Sequence, residues 1–358
     1  MLAVAIGTFF IGGYWLWTGL VLVVLVTRIM DIAIGDHLGV HPAGASGLAV
    51  SCQIAIVPML GILTLLYLYY IGGERMNWLD MPMQWLGVDI AAARMNTGFV
   101  GLIGGTLTLG LFHGALGVIT GHEFLHRPDN AAKRIFGKLL IAPICFPALV
   151  LEHVGGHHAN VGLLGDPETA PRGQGFWRFM AEDYSATTRD AFVREKARLA
   201  RRNSGWFTTG NRLLQGAVLS VLTGFLFFAA AGLAGLAAFV SVAFIGVLCT
   251  TLFSYIAHYG LIRVPGTPVA ARHSWNSYRF WSTSVMFNLP RHASHHLHGN
   301  RPYWKLEVEA GAPVFPHGAT MMAGIALLPP LWRKVMTGPL EDWDRNYATA
   351  GELQLLAR

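Results

Sequence analysis

Residues 97–126 read TGFVGLIGGTLTLGLFHGALGVITGHEFLH. A helix needs about 20 mostly apolar residues to cross a bilayer, and residues 97–120 provide them without an Asp, Glu, Lys or Arg. The run ends in HEFLH, in which His122 and His126 are four residues apart and share one face of a helix. We therefore expect a membrane-spanning helix that presents two imidazoles to a common point at its end.

Further apolar runs of spanning length occur at 47–71, 213–234 and 236–257. The first 34 residues are apolar except for Arg28 and Asp31, which is long for one span and short for two with a turn at Gly12 and Gly13. We predict one full span there, with at most a shortened partner. The run 139–151 has 13 residues and two prolines, which favours a re-entrant or interfacial segment. The resulting fold class is an all-α integral membrane protein, a bundle of five or six transmembrane helices.

The composition supports this fold class. Of the 358 residues 53% are hydrophobic and 13% are charged, whereas soluble globular chains carry about 25% charged residues. An ordinary soluble enzyme, a disordered chain and a nucleic-acid-binding module are therefore excluded. Only three of the 26 Lys and Arg precede Gly121, which favours a cytoplasmic location for the later polar segments. We expect a single membrane domain, 1–358, with cytoplasmic-face segments at about 121–212 and 259–358.

Nine of the 15 histidines fall into dense clusters. They belong to the boxes HEFLH, EHVGGHH, AHYG and RHASHH, at His122, His126, His153, His157, His158, His258, His292, His295 and His296. Imidazoles buried together without a metal would leave ring nitrogens unpaired, at a cost of about 1–3 kcal/mol each, and ionisable groups inside a membrane are functional by default. The clusters therefore predict a metal site. His153 and His157, spaced like the first pair, are expected to face one common point.

HEFLH also fits the HExxH pattern of zinc proteases, in which two histidines bind zinc and the glutamate is the general base. A tetrahedral zinc takes three or four ligands, so it leaves at least five of the nine histidines unexplained. Nine nitrogens shared as four and five suit two ions with open positions, and such a nitrogen-rich site fits iron that handles oxygen. A metal transporter or sensor is a further alternative, and it predicts ligands strung along a pathway rather than gathered on one face.

The boxes, in this order and separated by apolar runs, resemble those of the membrane-bound non-heme di-iron alkane 1-monooxygenases, within the larger group that includes the fatty-acid desaturases. Flanking stretches extend the resemblance: GDPETA at 165–170, HYGLIR at 258–263, RHSWNS at 272–277 and PPLWRKVM at 329–336. Other stretches are more similar to the xylene monooxygenase branch: GGYWLW at 12–17, APRGQ at 170–174 and EDWDRNYATAGE at 341–352. The resemblance therefore leaves the substrate class divided between alkanes and alkyl-aromatics.

The resemblance implies that the nine histidines are iron ligands and that the cofactor is two Fe ions. A ligating imidazole needs its second ring nitrogen held by an acceptor, and Glu123, Glu152 and Asp166 are the candidates. No catalytic residue is expected beyond the metal ligands. Ala257 departs from the family, in which a glutamate commonly precedes HYG. The remaining histidines are expected in the core at His113, beside the boxes at His273 and His298, and in loops at His37, His41 and His317.

The implied reaction is O2-dependent hydroxylation, in which one oxygen atom enters an unactivated C–H bond of a hydrophobic substrate and the other leaves as water. A medium-chain alkane is the first choice of substrate. The methyl group of xylene or toluene is the second, and desaturation of a fatty-acyl chain is the third. The substrate is expected to arrive from the bilayer through a channel between the helices.

Electrons are expected from a separate protein, because the chain has no CxxC pair and no flavin or nicotinamide fingerprint. The implied partners are a rubredoxin or ferredoxin-type donor and its NAD(P)H-dependent reductase, and the implied location is the cell inner membrane, multi-pass, with the site on the cytoplasmic side. A surface helix is expected at 184–202. Its basic end is either a solvated or headgroup-facing edge or a docking surface for an acidic donor, at Arg194, Lys196, Arg198, Arg201 and Arg202.

Overall fold

The computed structural model describes residues 1–39, 46–127 and 129–357. Within these ranges the chain is helical, and its only bridges are the isolated pairs Asp36 with Arg279 and Asn276 with Val314. In chain order the helices are α1 (Leu2–Phe9), α2 (Thr18–Val21), α3 (Thr27–Ile34), α4 (Ser46–Gly72), α5 (Asp80–Trp85), α6 (Ile90–Met95), α7 (Phe99–Phe112), α8 (Val118–Leu125), α9 (Ala131–Ile141), α10 (Leu149–Glu152), α11 (His158–Asn160), α12 (Phe176–Ala200), α13 (Arg212–His258), α14 (Phe280–Val285), α15 (His292–Leu297), α16 (Ala319–Ala326), α17 (Pro329–Asn346) and α18 (Ala350–Leu356).

Helical stretches long and apolar enough to cross a membrane are Gly13–Ile34, Ser46–Trp85, Phe99–Leu125 and Arg212–His258. The short α1 precedes the first of them. Between the two, Gly12 and Gly13 have φ angles of 78° and 60°, a region that glycine adopts without a steric cost. The amino-terminal residues therefore form one full span with a shortened partner, as predicted.

α13 is a hairpin of two helices. Gly232, with φ 62° and ψ −139°, interrupts it near the middle. Beyond the interruption the chain returns along its first half, since a side chain at Gly235 would clash with the carbonyl oxygen of Phe227, and the rings of Phe227 and Phe239 are 5.6 Å apart. Both ends of α13 consequently lie on one side of the bundle. With its halves counted separately, the described residues form five segments of spanning length.

Glycines allow the stretch Phe99–Leu125 to pack against its neighbours at backbone distance. A Cβ at Gly104 would overlap the indole of Trp17, and one at Gly114 would lie 2.7 Å from the Cα of Gly246. Substitution at either glycine would force these helices apart. This close packing fixes the position of the stretch Phe99–Leu125, whose end carries the first histidine box.

The run 139–151 is broken into three pieces. It comprises the end of α9, a 3₁₀ turn at Ala142–Ile144 and the start of α10, and Cys145 at the join has a φ of 52°. α9 packs antiparallel on α8, where a Cβ at Gly121 would lie 3.1 Å from the carbonyl oxygen of Gly137. Because the run contains no helix of spanning length, the chain regains the side of the bundle from which α9 started. This break is what we expect of a re-entrant or interfacial segment.

α12 begins eight residues before the surface helix predicted at 184–202 and ends at Ala200. One face of the additional turns is apolar and buried, because Phe176 and Phe179 pack their rings 5.6 Å and 5.3 Å from that of Tyr255 on α13. The same aromatic core includes Trp332 and Trp343 of α17. The carboxy-terminal helices are thereby attached to the end of α13 that carries His258.

Candidate metal centre

Four local elements carry the nine histidines of the boxes. The first box lies at the end of α8, and AHYG lies at the end of α13. The second box forms a π-helical turn, His153–His157, followed by His158 at the start of α11, and the last box is on α15. π-helical turns inside helices are frequent at functional sites. All nine rings are buried except that of His158, which is partly exposed.

The nine rings form two adjacent groups, and within each group the candidate ligand atoms lie within 4.8 Å of one another. The group of five comprises His122, His126, His153, His158 and His295. The group of four comprises His157, His258, His292 and His296. The groups touch, since the rings of His158 and His296 stack with centroids 4.4 Å apart. The structure thus brings together all nine histidines singled out in the sequence.

His153 and His157 belong to different groups of rings, but they can still face one common point, because together with Glu168 they form a third set of candidate ligand atoms within 4.8 Å of one another. They share a helical face, and their ring centroids are 5.2 Å apart. The two groups lie side by side, so one face of this turn can supply a ring to each. His122 and His126, by contrast, fall in the same group as expected, with their Nε2 atoms 3.0 Å apart.

The closest contacts between the rings join Nε2 atoms. They measure 2.8 Å between His122 and His153, 3.0 Å between His158 and His295, and 3.0 Å between His258 and His292. Two nitrogens that bind one metal ion at about 2.1 Å and at right angles lie about 3.0 Å apart. The observed spacing is therefore that of ligands around a shared cation.

The other ring nitrogen is held in three of the nine. The Nδ1 of His153 is 3.0 Å from Glu168 Oε2, and the Nδ1 of His157 is 2.9 Å from Asp166 Oδ2. The Nδ1 of His258 is 2.9 Å from the carbonyl oxygen of His273. Since these partners are acceptors, Nδ1 carries a proton in each ring, and Nε2 is the nitrogen that remains for a metal ion. Lone pairs that face one another repel unless a cation lies between them, so the donor set fits metal ions.

Glu168 is a functional residue that sequence reasoning missed. It is 2% exposed, and Ser254 donates a hydrogen bond of 3.0 Å to the same carboxylate oxygen that holds His153. His157, from the other group, is close enough to coordinate a common ion with Glu168 and His153. The sequence signal for Glu168 was present in GDPETA, the stretch that also supplies Asp166.

Glu123 and Glu152 have other partners. Glu123 forms an ion pair of 3.0 Å with Arg127, and Glu152 forms one of 2.7 Å with Arg194. Neither carboxylate has a histidine nitrogen among its hydrogen-bond partners in the described residues. Of the three acidic residues expected to hold a ligand ring, Asp166 alone makes that contact here.

Protonation differs between the rings. Burial lowers the pKa of four histidines outside the membrane-spanning segments, His158, His292, His295 and His296. Those rings are neutral at pH 7, the form that coordinates a metal. Burial also opposes the charged form of His157, but Glu168 and Asp166 raise its pKa to about 9. A metal that binds His157 at neutral pH must therefore displace a proton.

The remaining described histidines lie outside the two groups. His113 is a buried core residue, as expected, and its Nε2 is 2.9 Å from Thr64 Oγ1. His273 bonds through Nε2 to Glu352 Oε1 at 2.8 Å, which fixes the loop whose carbonyl holds His258. His298 is 3.5 Å from Glu309. His41 lies outside the described residues.

A cavity of ≈ 90 Å³ opens beside both groups. Its walls are mostly apolar and include Val118, Ile119 and Leu149, and its end is formed by rings from both groups, among them His122 and His258. The carboxylate of Glu168 and the hydroxyl of Ser254 are the polar atoms next to these rings. The arrangement can hold a hydrophobic molecule against the metal positions.

Comparison with known proteins agrees with this chemistry. The model of the fatty acid desaturase family matches residues 97–310. Alkane 1-monooxygenase 1 of Pseudomonas aeruginosa is 34% identical over 73% of this chain and 68% of its own, and alkane 1-monooxygenase 2 of Alcanivorax borkumensis is 30% identical over 79% and 75%. The xylene/toluene monooxygenase hydroxylase component XylM of Pseudomonas putida is 26% identical over 97% and 88%. The chain therefore belongs to the fatty acid desaturase family, in its branch of membrane alkane 1-monooxygenases and related hydroxylases.

Proposed function

We propose that this protein is an O2-dependent monooxygenase that hydroxylates the terminal methyl group of a hydrophobic substrate, with a medium-chain alkane as the preferred substrate. One observation carries the proposal: two groups of imidazole nitrogens, five and four, lie at the end of an apolar cavity. The names of the relatives support the same reaction, since they are alkane 1-monooxygenases and a xylene/toluene monooxygenase component.

The proposed cofactor is two Fe ions, held by the nine histidines as a group of five and a group of four. Iron bound there would supply the two-electron activation of O2 that protein side chains cannot provide. Each ion could accept further ligands, since nine nitrogens do not fill two six-coordinate positions. A single structural zinc would use at most four of these nitrogens.

The chain's own residues prepare the site. Glu168 and Asp166 keep the protons of His153 and His157 on Nδ1, which leaves Nε2 free and fixes the orientation of each ring. The apolar walls at Val118 and Ile119 exclude water and orient a hydrocarbon towards the rings. Substrate enters from the bilayer, because the cavity lies between α8 and the second half of α13.

The alternative substrate is the methyl group of an alkyl-aromatic. The match to XylM supports it, since that relative is aligned over 97% of this chain, whereas alkane 1-monooxygenase 1 of Pseudomonas aeruginosa is aligned over 73%. Desaturation of an acyl chain is a weaker third candidate, supported by the family model. The gathering of the histidines on one face speaks against a transporter that passes ions along a pathway.

The electron donor is proposed to be a rubredoxin or ferredoxin-type protein, which is reduced by its own NAD(P)H-dependent reductase. The donor is proposed to dock on the basic end of α12. Two residues of that end are engaged within the chain, because Arg194 pairs with Glu152, and Arg198 pairs with Glu195 at 2.6 Å. The other three cations of that end, Lys196, Arg201 and Arg202, are exposed and have no ion pair in the described residues. An acidic donor would therefore meet this second set.

The proposed location is the cell inner membrane, with the metal site and the segments at about 121–212 and 259–358 on the cytoplasmic side of a single domain. The position of Lys and Arg after Gly121 supports this orientation. Membrane lipids, O2 and the hydrophobic substrate are the remaining proposed partners.

The experiment that tests the proposal combines metal analysis with product analysis. Protein purified from iron-replete cells should contain two irons per chain and, with a donor, a reductase and NADH, should oxidise octane. Without the donor it should show no turnover. His157→Ala should lose iron and activity together, while His298→Ala, a histidine outside both groups, should keep both. One zinc per chain, or full activity of His157→Ala, would contradict the proposal.

A further inference from the structure

A second open space lies away from the metal centre, between α9 and the first turns of α13. This groove has a volume of ≈ 620 Å³. Its apolar side includes Ile135, Leu139 and Val218, which are 58%, 42% and 49% exposed. Its polar end includes Lys138 and Gln215. One end of the groove is therefore suited to a hydrocarbon chain and the other to a polar group.

The groove lies where the membrane-spanning part of α13 begins. The span starts at Arg212, and the preceding loop carries Phe207, which is 90% exposed and lines the groove. Aromatic side chains are enriched at the level of lipid headgroups. The polar end is thus at headgroup level, and Val218, nearly two turns into α13, lies at the level of the acyl chains.

Positive charge gathers at the polar end. The pKa of Lys138 is lowered by its burial and by the nearby cations Arg212 and Arg134. The Lys138 ammonium donates a hydrogen bond to Gln215, a neutral group. Arg202 lies close enough to Arg212 to repel it. Lys138 therefore lines the polar end of the groove itself, and Arg212 lies close enough to add its positive charge to the same end.

One buried acidic residue, Glu195, attracts both Lys138 and Arg212 and so offsets part of their charge. Glu195 accepts hydrogen bonds of 2.7 Å and 2.6 Å from the guanidinium of Arg198 and one of 2.6 Å from the backbone N–H of Arg212. Its side chain is fully buried. Its single negative charge is thus shared among Arg198, Arg212 and Lys138, and an anion from outside the chain would balance the remaining positive charge.

We propose that this groove binds one anionic phospholipid, with the phosphate between Lys138 and Arg212 and an acyl chain along Leu139 and Val218. The combination of charge and apolar surface selects this ligand. A soluble phosphate would use the cations alone, and a lipid without net charge would use the apolar side alone. Basic pockets beside membrane helices bind anionic headgroups for the same reason. The site is independent of the catalytic proposal, because none of its residues contacts the histidine groups.

The test is native mass spectrometry of the full chain in detergent, titrated with phosphatidylglycerol or with phosphatidylcholine of the same acyl chains. Each cation near an anionic headgroup contributes roughly a fivefold factor in affinity. The wild-type chain should therefore bind phosphatidylglycerol at least about tenfold more tightly than phosphatidylcholine. K138Q/R212Q should lose this preference, and R333Q/K334Q, which removes two exposed cations elsewhere, should keep it.

Two further measurements keep the test decisive. K138Q and R212Q are also titrated singly, so that poor folding of the double variant leaves the comparison intact. Val218→Trp should fill the groove and weaken the binding of both lipids, and glycerol phosphate without acyl chains should not compete at lipid concentrations. Equal affinity of the wild-type chain for the two lipids, or an unchanged preference in the lysine and arginine variants, would overturn the proposal.

Discussion

At the scale of single residues, the proton on Nδ1 decides whether an imidazole can serve as a ligand. Glu168 holds that proton on His153 and lies at the wall of the cavity. Burial alone would raise the pKa of this carboxyl, but His157 and His153 lower it, so Glu168 is ionised when the rings need an acceptor. The carboxylate therefore stabilises the form of His153 that coordinates a metal, and it adds negative charge beside the positions proposed for the iron ions.

We expect Glu168→Gln to weaken iron binding by about 10- to 100-fold, the usual effect of removing a group that holds a ligand ring. The amide can still accept the Nδ1–H bond, so the loss measures the charge. Iron retained after dialysis against a graded series of chelator concentrations is the measurement. Glu123→Gln is the matched control, because Glu123 pairs with Arg127 instead. Equal retention of iron by Glu168→Gln and the wild-type chain would refute the role given to Glu168.

The histidines and one supporting carboxylate, Asp166, were predictable, whereas Glu168 was not, for a geometric reason. A residue next to a ligand in a helix points about 100° away from it. Glu123 follows His122, and Glu152 precedes His153, so each is directed away from the metal positions towards an arginine. Glu168 reaches His153 from a loop 15 residues later. Sequence spacing describes contacts within a helix, whereas this contact depends on how the loop folds back.

At the scale of elements, α13 places His258 correctly only if the chain reverses at the right point. The sequence predicts spans at 213–234 and 236–257, and the reversal occurs at Gly232. Gly235 lies close by and is equally plausible from composition. Only the backbone angles distinguish them, since Gly232 has a φ of 62° and Gly235 allows close packing against Phe227.

Gly232→Ala should therefore destabilise the protein by about 1–3 kcal/mol, because φ 62° with ψ −139° is strained for any residue with a Cβ. Gly61→Ala is the control with the opposite expected sign. Gly61 is inside α4, a Cβ there meets no neighbouring atom, and the change should stabilise by about 0.5–1 kcal/mol. Thermal unfolding of both variants in one detergent gives the comparison. A Gly232→Ala variant as stable as the wild-type chain would mean that the reversal is not confined to this glycine.

α18 makes the metal centre depend on the far carboxy-terminal end. Glu352 caps this helix through Thr349, pairs with Arg272 at 3.0 Å and bonds to His273, whose carbonyl holds His258. Burial would raise the pKa of Glu352, but the hydrogen bonds, above all that from Arg272, lower it to about 2 from an ordinary 4.5. The depressed pKa stabilises the fold by roughly 3 kcal/mol at neutral pH.

This contribution has a defined pH window. A carboxyl whose pKa is lower in the folded state stabilises fully above its unfolded pKa, and the effect is lost as the pH falls from about 4.5 to about 2. Glu352→Gln should therefore lower the unfolding temperature at pH 7, and the difference from the wild-type chain should shrink to about half near pH 3 and almost vanish near pH 2. Glu341→Gln, on the preceding helix, is the control. If the difference in unfolding temperature between Glu352→Gln and the wild-type chain does not decrease as the pH falls, the stabilising role given to the lowered pKa of Glu352 is wrong.

At the scale of the whole molecule, the two groups of rings require that distant segments meet on one side of the membrane. The α8–α9 turn, the second box and both ends of α13 must share that side, and the segment between α4 and α7 must lie on the other. In a chain whose Cys52, Cys145 and Cys249 are replaced, Ala132→Cys and Leu164→Cys should react with an impermeant thiol reagent from one face. Gln84→Cys should react from the opposite face. Labelling of Ala132→Cys and Leu164→Cys from different faces would refute this topology.

The proposed reaction depends on segments from the whole chain. The relatives of this protein differ in the substrate that their names give, an alkane or xylene and toluene. The stretches next to the metal positions, EHVGGHH and RHASHH, are more similar to those of alkane hydroxylases, while the stretches similar to the xylene branch lie at 12–17, 170–174 and 341–352. None of these three stretches lines the cavity, and residues that line it determine the preferred substrate more directly, because binding that differs between substrates arises in the pocket.

We therefore expect 1-octanol from octane at a higher kcat/KM than benzyl alcohol from toluene, when both are supplied separately with donor, reductase, NADH and O2. The apolar cavity beside Val118, Ile119 and Leu149 suits either hydrocarbon, so the expected preference rests on the similarity of EHVGGHH and RHASHH to alkane hydroxylases. Gas chromatography of the products is the measurement, and His157→Ala provides the blank. Benzyl alcohol without 1-octanol would reverse the substrate preference and leave hydroxylation intact. An alkene from an acyl chain, without any alcohol, would instead assign this centre to desaturation, since the same donor set can remove two hydrogens rather than insert oxygen.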